Sequence, residues 1–143
     1  MEIKLPAVSA PIASYVHYVI QDKIVYISGQ LPMEDGKVKY KGKLGDNMTL
    51  EEGQKAAELC AKFVLAQLKE AVHDFAKVKR CIKISAFINS TPDFIDHPKV
   101  INAASDLIVN FLGEKGKHTR ESVGVASLPL GVAVEIGAIF AIE

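Results

Sequence analysis

Cysteine is scarce in this sequence, with only Cys60 and Cys81 among 143 residues. The two form no CxxC motif and have no cluster of histidines around them, so they indicate neither a zinc site nor a redox pair. A disulfide between them is one interpretation, but isolated cysteines of this kind are more often buried free thiols. Since the chain also lacks phosphate-loop and dinucleotide motifs, we expect no metal and no cofactor.

Net charge is also absent, because 17 Lys plus Arg balance 17 Asp plus Glu. A dedicated nucleic-acid binder normally shows a basic stripe, so nucleic acid is not an expected partner. No apolar run approaches the roughly 20 residues of a membrane helix. The first residues lack the apolar region of a secretory signal. We therefore expect a cytoplasmic protein that has no membrane segment.

The apolar content is high for so short a chain. Hydrophobic residues make up 49% of the sequence and charged residues 24%, which excludes a disordered chain. The length fits a single domain over residues 1–143. The apolar surplus favours an oligomer, in which part of the surface is covered by a partner.

Periodicity predicts two long helices between strands. Thr49 and Glu52 form a capping box ahead of an amphipathic stripe, and Gly113 is typical of a helix C-terminus. Ile82, together with Ile84, Ala86 and Ile88, is expected on the buried face of a strand. The order implies a two-layer α+β fold with both helices on one face of the sheet. The predicted elements are strands at 15–21, 24–29, 37–43, 78–89, 121–127 and 132–142, and helices at 50–71 and 98–112.

The last two predicted strands place two charges on a face of small residues. With a turn at residues 128–131, they form a hairpin in which Glu135 lies opposite Gly124 and shares a face with Arg120. Gly, Ala and Ser make up the rest of this face, which leaves room for a ligand or another chain. The alternative is that both charges are ordinary solvated side chains of an exposed sheet.

The first predicted hairpin brings polar side chains together. Tyr15, His17, Ser28 and Gln30 share one face if residues 22–23 form the turn. A Ser–His nucleophile pair is conceivable there, but no GxSxG turn or orienting acid accompanies it, so a structural hydrogen bond or an interface contact is favoured. The other histidines, at 73, 97 and 118, lack ligand spacing and are expected at the surface.

Two segments carry the most distinctive patterns of the chain: ISGQLP at residues 27–32, with Tyr15 ahead of it, and RESVGVASLPLGVAVEI at residues 120–136. In residue types and spacing, they resemble the two signatures of the Rid (reactive intermediate deaminase, YjgF) family. The predicted strand order agrees, so the resemblance spans nearly the whole chain.

The resemblance implies a chorismate-mutase-like α+β fold, with a mixed sheet and two long helices on one face. It also implies a homotrimer whose sites lie in the clefts between subunits. Active members hydrolyse C=N bonds: they convert reactive enamines and imines, such as 2-aminoacrylate or 2-iminobutanoate, to 2-oxo acids and ammonia. The expected ligand is thus a small imine or oxo acid that bears a carboxylate.

Site residues follow from the resemblance by position. Arg120 corresponds to the arginine that binds the substrate carboxylate, for which its planar fork is suited. Glu135 corresponds to the carboxylate that holds the attacking water. The other implied substrate-binding residues are Tyr15, Ser28, Gly29, Asn102 and Ser122, with Gly29 and Ser122 acting through their backbone.

Compared with the deaminases that it resembles, the chain departs at four places. Ser122 replaces a cysteine, Glu121 adds a negative charge beside Arg120, residues 93–102 are expected to form a longer segment than usual, and residues 114–118 are expected to reshape the approach to Arg120. Two other functions remain as alternatives. One is the endoribonuclease or translation-inhibitor activity with which some members are labelled, although phosphate-driven binding is weak for a neutral chain. The other is a trimer that binds a carboxylate metabolite without turning it over.

Overall fold

The computed structural model describes residues 2–11 and 13–143. They form a five-stranded mixed sheet with two long helices packed on one face, which confirms the predicted α+β fold. The elements are β1 (Tyr18–Gln21), β2 (Ile24–Gln30), β3 (Met33–Glu34), β4 (Lys37–Val38), α1 (Leu50–Val72), β5 (Val78–Asn89), α2 (His97–Leu112), β6 (Thr119–Val125) and β7 (Val134–Ile142).

Both helices begin and end within one residue of their predicted limits. At the start of α1, the Glu52 backbone N–H donates to Thr49 Oγ1 at 3.1 Å, and the Thr49 backbone N–H donates to Glu52 Oε1 at 3.0 Å. This capping box satisfies two N–H groups that the first helical turn leaves free. At the end of α2, Gly113 has a φ of 69°, a value that glycine adopts without strain.

The core lies between the helices and the sheet. Apolar side chains of α1 and α2 meet the alternate residues of β5 and β7 that point toward them, and this packing is what the sequence periodicity predicted. The largest fully buried side chains include Val64, Leu65, Leu68, Ile84, Ile101, Ile108, Ile136 and Phe140.

The strands follow the order β1-β2-β7-β5-β6, and only the β5–β6 pair is parallel. The predicted first hairpin is confirmed, with Asp22 and Lys23 in its turn at φ values of 53° and 63°. Its first strand begins at Tyr18 rather than at residue 15. The predicted third strand at 37–43 is reduced to β4, which pairs only with β3 in a separate small sheet.

The predicted C-terminal hairpin is wrong, because β6 and β7 do not pair with each other. They lie on either side of β5, with β6 parallel and β7 antiparallel to it. Residues 126–133 therefore pass across the end of β5. The alternate residues of β7 are so apolar that the strand is buried in the middle of the sheet, where it pairs with β2 and β5 through both of its edges.

Asn89, at the end of β5, holds this crossing segment in place. Its Nδ2 donates to the carbonyls of Gly42 and Val132 at 3.1 and 3.3 Å, and its Oδ1 accepts from Lys43 Nζ at 2.7 Å. Lys43 Nζ also donates to the Ala126 carbonyl at 2.7 Å. Buried polar side chains normally have such partners, and here they fix the route by which the chain leaves β6.

The prediction that Ile82 lies on the buried face of β5 is wrong, because the register of β5 against β7 is irregular between Cys81 and Lys83. Cys81 is fully buried and Ile82 is only half-buried, so the irregularity exchanges their predicted positions. Cys60 and Cys81 are buried free thiols, as expected. Burial raises the pKa of both thiols, that of Cys81 to about 12, so neither is a reactive thiolate at neutral pH.

Candidate functional site

Arg120 lies on the edge strand β6, with its side chain on the face that α2 covers. It is in register with Ile84, which is fully buried beneath the helices. Arg120 Nη1 donates to Ser105 Oγ on α2 at 3.0 Å, and that oxygen lies 2.9 Å from His118 Nε2. Among residues 2–11 and 13–143, no carboxylate forms a salt bridge with Arg120. The guanidinium is therefore held in place while its charge remains open to an anionic ligand.

Ser122 and Gly124 follow Arg120 on the same face of β6; we call these three residues the β6 row. The hydroxyl oxygen of Ser122 is buried and has no hydrogen-bond partner within the described part of the chain. A Cβ at position 124 would overlap Ser90 Oγ and would lie 2.8 Å from His97 Nε2. Glycine thus allows both side chains to approach the strand.

Glu135 lies on the other face of the sheet, which the helices leave open. It is in register with Phe87 on β5. Its carboxylate lies against Gly29, where a Cβ would overlap Oε2. Gly29 belongs to a bulge of β2, between Ile27 and Gln30. Partial burial raises the pKa of the Glu135 carboxyl above its usual range, which brings it closer to the pH at which a general base works best.

Gly29 also borders a small cavity at the end of β2. Tyr15, His17 and Gln30 contribute part of its polar lining, and the Tyr15 and His17 rings meet edge to face at 6.4 Å. Gln30 Nε2 lies 3.4 Å from His17 Nδ1, whereas His17 Nε2 is buried without a partner in the described ranges. The three side chains therefore lie close together in the structure, as the sequence predicted.

Ser28 does not form a nucleophile pair with His17. Its hydroxyl donates to the Val16 carbonyl at 2.8 Å, and its backbone N–H donates to the His17 carbonyl at 2.8 Å. The Ser28 hydroxyl therefore links the segment before β1 to the bulge of β2. This is the structural hydrogen bond that the sequence analysis favoured over a nucleophile pair.

Arg120 and Glu135 do not share a face, contrary to the sequence prediction. Arg120 and Ala138 are both in register with Ile84, and Ala138 is three positions beyond Glu135 on β7. Side chains alternate between the two faces of a strand, so an odd spacing places Glu135 on the opposite face. The prediction failed because it assumed that β6 pairs with β7. A single ligand contacts both side chains only if they belong to two copies of the chain.

Glu121 is directed away from the Arg120 guanidinium, although the two residues are neighbours in the sequence. On the open face, Lys83 Nζ lies 2.6 Å from the Glu121 carboxylate, and Ser85 Oγ donates to it at 3.2 Å. The bond to Lys83 is the main reason that the pKa of Glu121 is lowered. The extra negative charge is thus neutralised on the far side of the sheet.

The remaining predicted residue, Asn102, is exposed on α2, one turn ahead of Ser105. Sequence reasoning missed Ser105, whose only signal was this three-residue spacing from Asn102 on one side of the predicted helix. It also placed His97 and His118 at the surface, but both are partly buried. His118 bonds to Ser105, and His97 approaches Gly124. His73 is exposed, as expected.

Within residues 2–11 and 13–143, no three side chains of His, Cys, Asp or Glu are grouped so that they would bind a metal ion. In the same part of the chain, no helix is both long enough and apolar enough to span a membrane.

Comparison with known proteins gives one consistent family. Residues 1–141 match the family model described as "YjgF/chorismate_mutase-like, putative endoribonuclease". Protein TCP17 of Trypanosoma cruzi is 46% identical over 138 residues, which cover 96% of this chain and 86% of that protein.

Two solved structures are informative. Atu1372 from Agrobacterium tumefaciens, a protein of unknown function, is 45% identical with a TM-score of 0.92, over 99% of this chain and 88% of its own. TdcF from E. coli, solved with bound serine, is 26% identical with a TM-score of 0.65, over 97% of this chain and 93% of its own. The fold is thus shared with a protein that binds an amino acid.

Proposed function

The chain belongs to the YjgF/chorismate-mutase-like family, and from that premise we propose that it hydrolyses reactive enamines and imines of amino-acid origin to 2-oxo acids and ammonia. The observation that carries the proposal is the Arg120 guanidinium, which Ser105 holds in place and which no carboxylate neutralises in the described chain. A group of this kind fits the carboxylate of an imino acid. The serine bound to TdcF is a ligand with the same carboxylate.

Few catalytic groups are needed for this reaction, because a protonated imine carbon is already electrophilic. Arg120 fixes the substrate through its carboxylate, and Glu135 holds a water molecule and accepts a proton from it. The water oxygen forms a bond to the imine carbon while the C=N π electrons move to the nitrogen, and Glu135 passes the proton it has accepted to that nitrogen. The C–N bond then breaks and ammonia leaves, while the new hydroxyl gives its proton to Glu135 and the carbon becomes the carbonyl of the 2-oxo acid. The raised pKa of Glu135 favours its role as proton acceptor.

The site is shared between subunits of a homotrimer in this proposal. Arg120 comes from one subunit and Glu135 from the next, since one chain holds them on opposite faces of its sheet. The open face also carries large apolar side chains: Val19, Tyr26 and Val123 are 50%, 46% and 43% exposed. Exposed apolar side chains of this size support burial against another copy.

A coupled assay tests the proposal. Imines are generated in situ from several amino acids by an amino-acid oxidase, and the rate of 2-oxo acid formation is followed with and without the protein. We expect wild-type protein to accelerate the reaction and Arg120→Ala to abolish the acceleration. Arg80→Ala is the matched control, because within the described residues the Arg80 guanidinium donates to the backbone carbonyls of Cys81 and Lys117. Equal turnover by wild type and Arg120→Ala would refute the proposal.

The family description favours endoribonuclease activity as a second candidate. The balanced charge of the chain argues against it, since binding to phosphates depends on clustered Lys and Arg. RNA cleavage that weakens with salt, together with no effect on any imine, would favour this candidate. Arg120-dependent binding of a 2-oxo acid without faster hydrolysis would instead indicate a binding protein.

A further inference from the structure

We infer that His118 is a positioning residue for Arg120: it orients the Ser105 hydroxyl, and that hydroxyl in turn orders the guanidinium before a ligand binds. The inference rests on the proposed function in one respect, because it takes the ligand of Arg120 to be the carboxylate of an imino acid. Arg120 Nη1 donates to Ser105 Oγ at 3.0 Å, and Ser105 Oγ lies 2.9 Å from His118 Nε2. All three side chains are partly buried, so these bonds are stronger than they would be in water.

The hydrogen-bond partners of His118 assign its tautomer. His118 Nδ1 lies 2.5 Å from the Gly116 carbonyl oxygen, which only accepts hydrogen bonds, so Nδ1 carries a proton. In a neutral imidazole, Nε2 is then an acceptor. Ser105 Oγ accepts from Arg120, and its own proton is free to be donated to Nε2. Each proton in the chain from Arg120 through Ser105 to His118 thus has one acceptor.

The segment before β6 holds His118 in this position. Gly116 is buried against α2, where a Cβ would lie 2.6 Å from the Ile108 carbonyl oxygen, so glycine permits this close approach to the helix. On the other side of His118, Thr119 Oγ1 donates to the Ile82 carbonyl of β5 at 2.8 Å. The imidazole is therefore attached to a backbone that is fixed both before and after it.

This arrangement prepares Arg120 for a carboxylate. Nη1 is the only guanidinium nitrogen of Arg120 that bonds within the described residues, so Nε and Nη2 remain for a ligand. Their N–H groups are parallel and match the two oxygens of a carboxylate. A mobile arginine loses side-chain entropy when it binds a ligand, and a side chain that is ordered beforehand avoids that loss. His118 should therefore raise the affinity for a carboxylate that it does not itself contact.

Two amide substitutions of His118 separate positioning from a purely structural role in the turn. The side-chain nitrogen of asparagine reaches about as far as Nδ1, so His118→Asn keeps a donor for Gly116 but has no acceptor that reaches Ser105. Glutamine reaches about as far as Nε2, so His118→Gln keeps an acceptor for Ser105 and loses the donor for Gly116. Positioning predicts that glutamine retains the function and asparagine loses it, whereas a structural role predicts the opposite. His73→Asn, at an exposed histidine, is the matched control.

Nuclear magnetic resonance measures the order of the guanidinium directly. Arg80 and Arg120 are the only arginines of the sequence, so the Arg120→Ala spectrum assigns the Nη signals of both. We expect rotation about the Cζ–Nη1 bond of Arg120 to be slow in wild type, His118→Gln and His73→Asn. In His118→Asn it should be about fivefold faster, the usual effect of one hydrogen bond.

Calorimetric titration of the full chain with 2-oxobutanoate measures the consequence for binding. We expect His118→Asn to weaken binding about fivefold, while His118→Gln and His73→Asn stay within about twofold of wild type. In the Ser105→Ala background, His118→Asn should have no further effect, because His118 acts through that hydroxyl.

The outcomes separate this inference from the proposed function. Guanidinium rotation that is equally slow in wild type and His118→Asn would overturn the positioning role, even if imines are hydrolysed. A loss of affinity that is the same for asparagine and glutamine, or that adds in full to the loss from Ser105→Ala, would also overturn it. Rotation that depends on His118, in a protein that hydrolyses no imine, would leave the positioning role intact and refute only the proposed deaminase activity.

Discussion

Arg120 and Glu135 lie on opposite faces of the same sheet, with strand β5 between their strands. Arg120 is anchored beneath α2 by Ser105, whereas Glu135 is lodged against Gly29 on the open face. An enzyme that uses both residues on one substrate must therefore take them from different subunits. The fold therefore presents Arg120 on one face of the sheet and Glu135 on the other, so that each face carries half of a shared site.

Replacement of Gly29 by alanine should remove the function of Glu135 without a large loss of stability. The new methyl group would occupy the position of the Glu135 carboxylate, and the flexible side chain would turn away. We expect imine hydrolysis to fall at least tenfold while the free energy of unfolding changes by about 1 kcal/mol. Gly36→Ala is the control: Gly36 has a φ of 76° and nothing within 4 Å, so it loses stability through backbone strain alone. Equal activity of the two variants would contradict this role for Gly29.

Glu135→Gln should raise the stability of the folded protein, and the gain in stability should depend on pH. Burial raises the pKa of the Glu135 carboxyl, so its ionised form is disfavoured in the folded state relative to the unfolded state. The stability that this group contributes is therefore complete below its unfolded pKa and is lost as the pH rises through the folded pKa. We expect the melting temperature of the variant to exceed that of wild type at pH 7 to 8, and the difference to vanish in acid. A difference that is independent of pH would contradict the stated cause.

Ser105→Ala should weaken substrate binding more than turnover. The alanine removes the hydroxyl that accepts from Arg120 Nη1 and contacts His118. We expect KM to rise several-fold, the effect of about 1 kcal/mol, with a smaller change in kcat. Ser105→Thr retains a hydroxyl and should lie close to wild type. A KM unaffected by the alanine would show that Arg120 needs no support from α2.

Asn89→Ala should destabilise the fold, because Asn89 bonds the crossing segment to the loop at Gly42 and Lys43. The loss should be about 1–3 kcal/mol, the cost of leaving buried partners unsatisfied. Chemical denaturation measures it, with the exposed Asn110→Ala as a control that should stay within about 0.5 kcal/mol of wild type. Equal midpoints for the two variants would show that the crossing segment is held by other contacts.

The helices and most strands were predictable because their signals are local. The Thr49–Glu52 capping box and the Gly113 stop fix helix ends through groups that are only a few residues apart. The β1–β2 hairpin depends on two turn residues, Asp22 and Lys23. Such features are determined before any tertiary packing is considered.

Strand partners depend on distant residues, and there the prediction failed. The turn at 128–131 resembles a hairpin turn, but the chain continues across β5 because Asn89, Gly42 and Val132 meet there. Because β6 and β7 were predicted to pair, Arg120 and Glu135 were assigned to the same face of the sheet, whereas they lie on opposite faces. Ser105 was missed for the same reason, since its contact with Arg120 depends on how α2 packs over β6. The individual site residues were proposed from motifs, whereas their arrangement required the fold.

The most direct test of a shared site is subunit complementation between Arg120→Ala and Glu135→Gln. Each variant alone should be inactive. Co-expressed in equal amounts, they form mixed trimers in which one site in four combines an intact Arg120 with an intact Glu135, so about a quarter of wild-type activity should return. Co-expression of Arg120→Ala with the double variant Arg120→Ala/Glu135→Gln should restore nothing. Mixed trimers without activity, formed from the two single variants, would contradict a site that two subunits share.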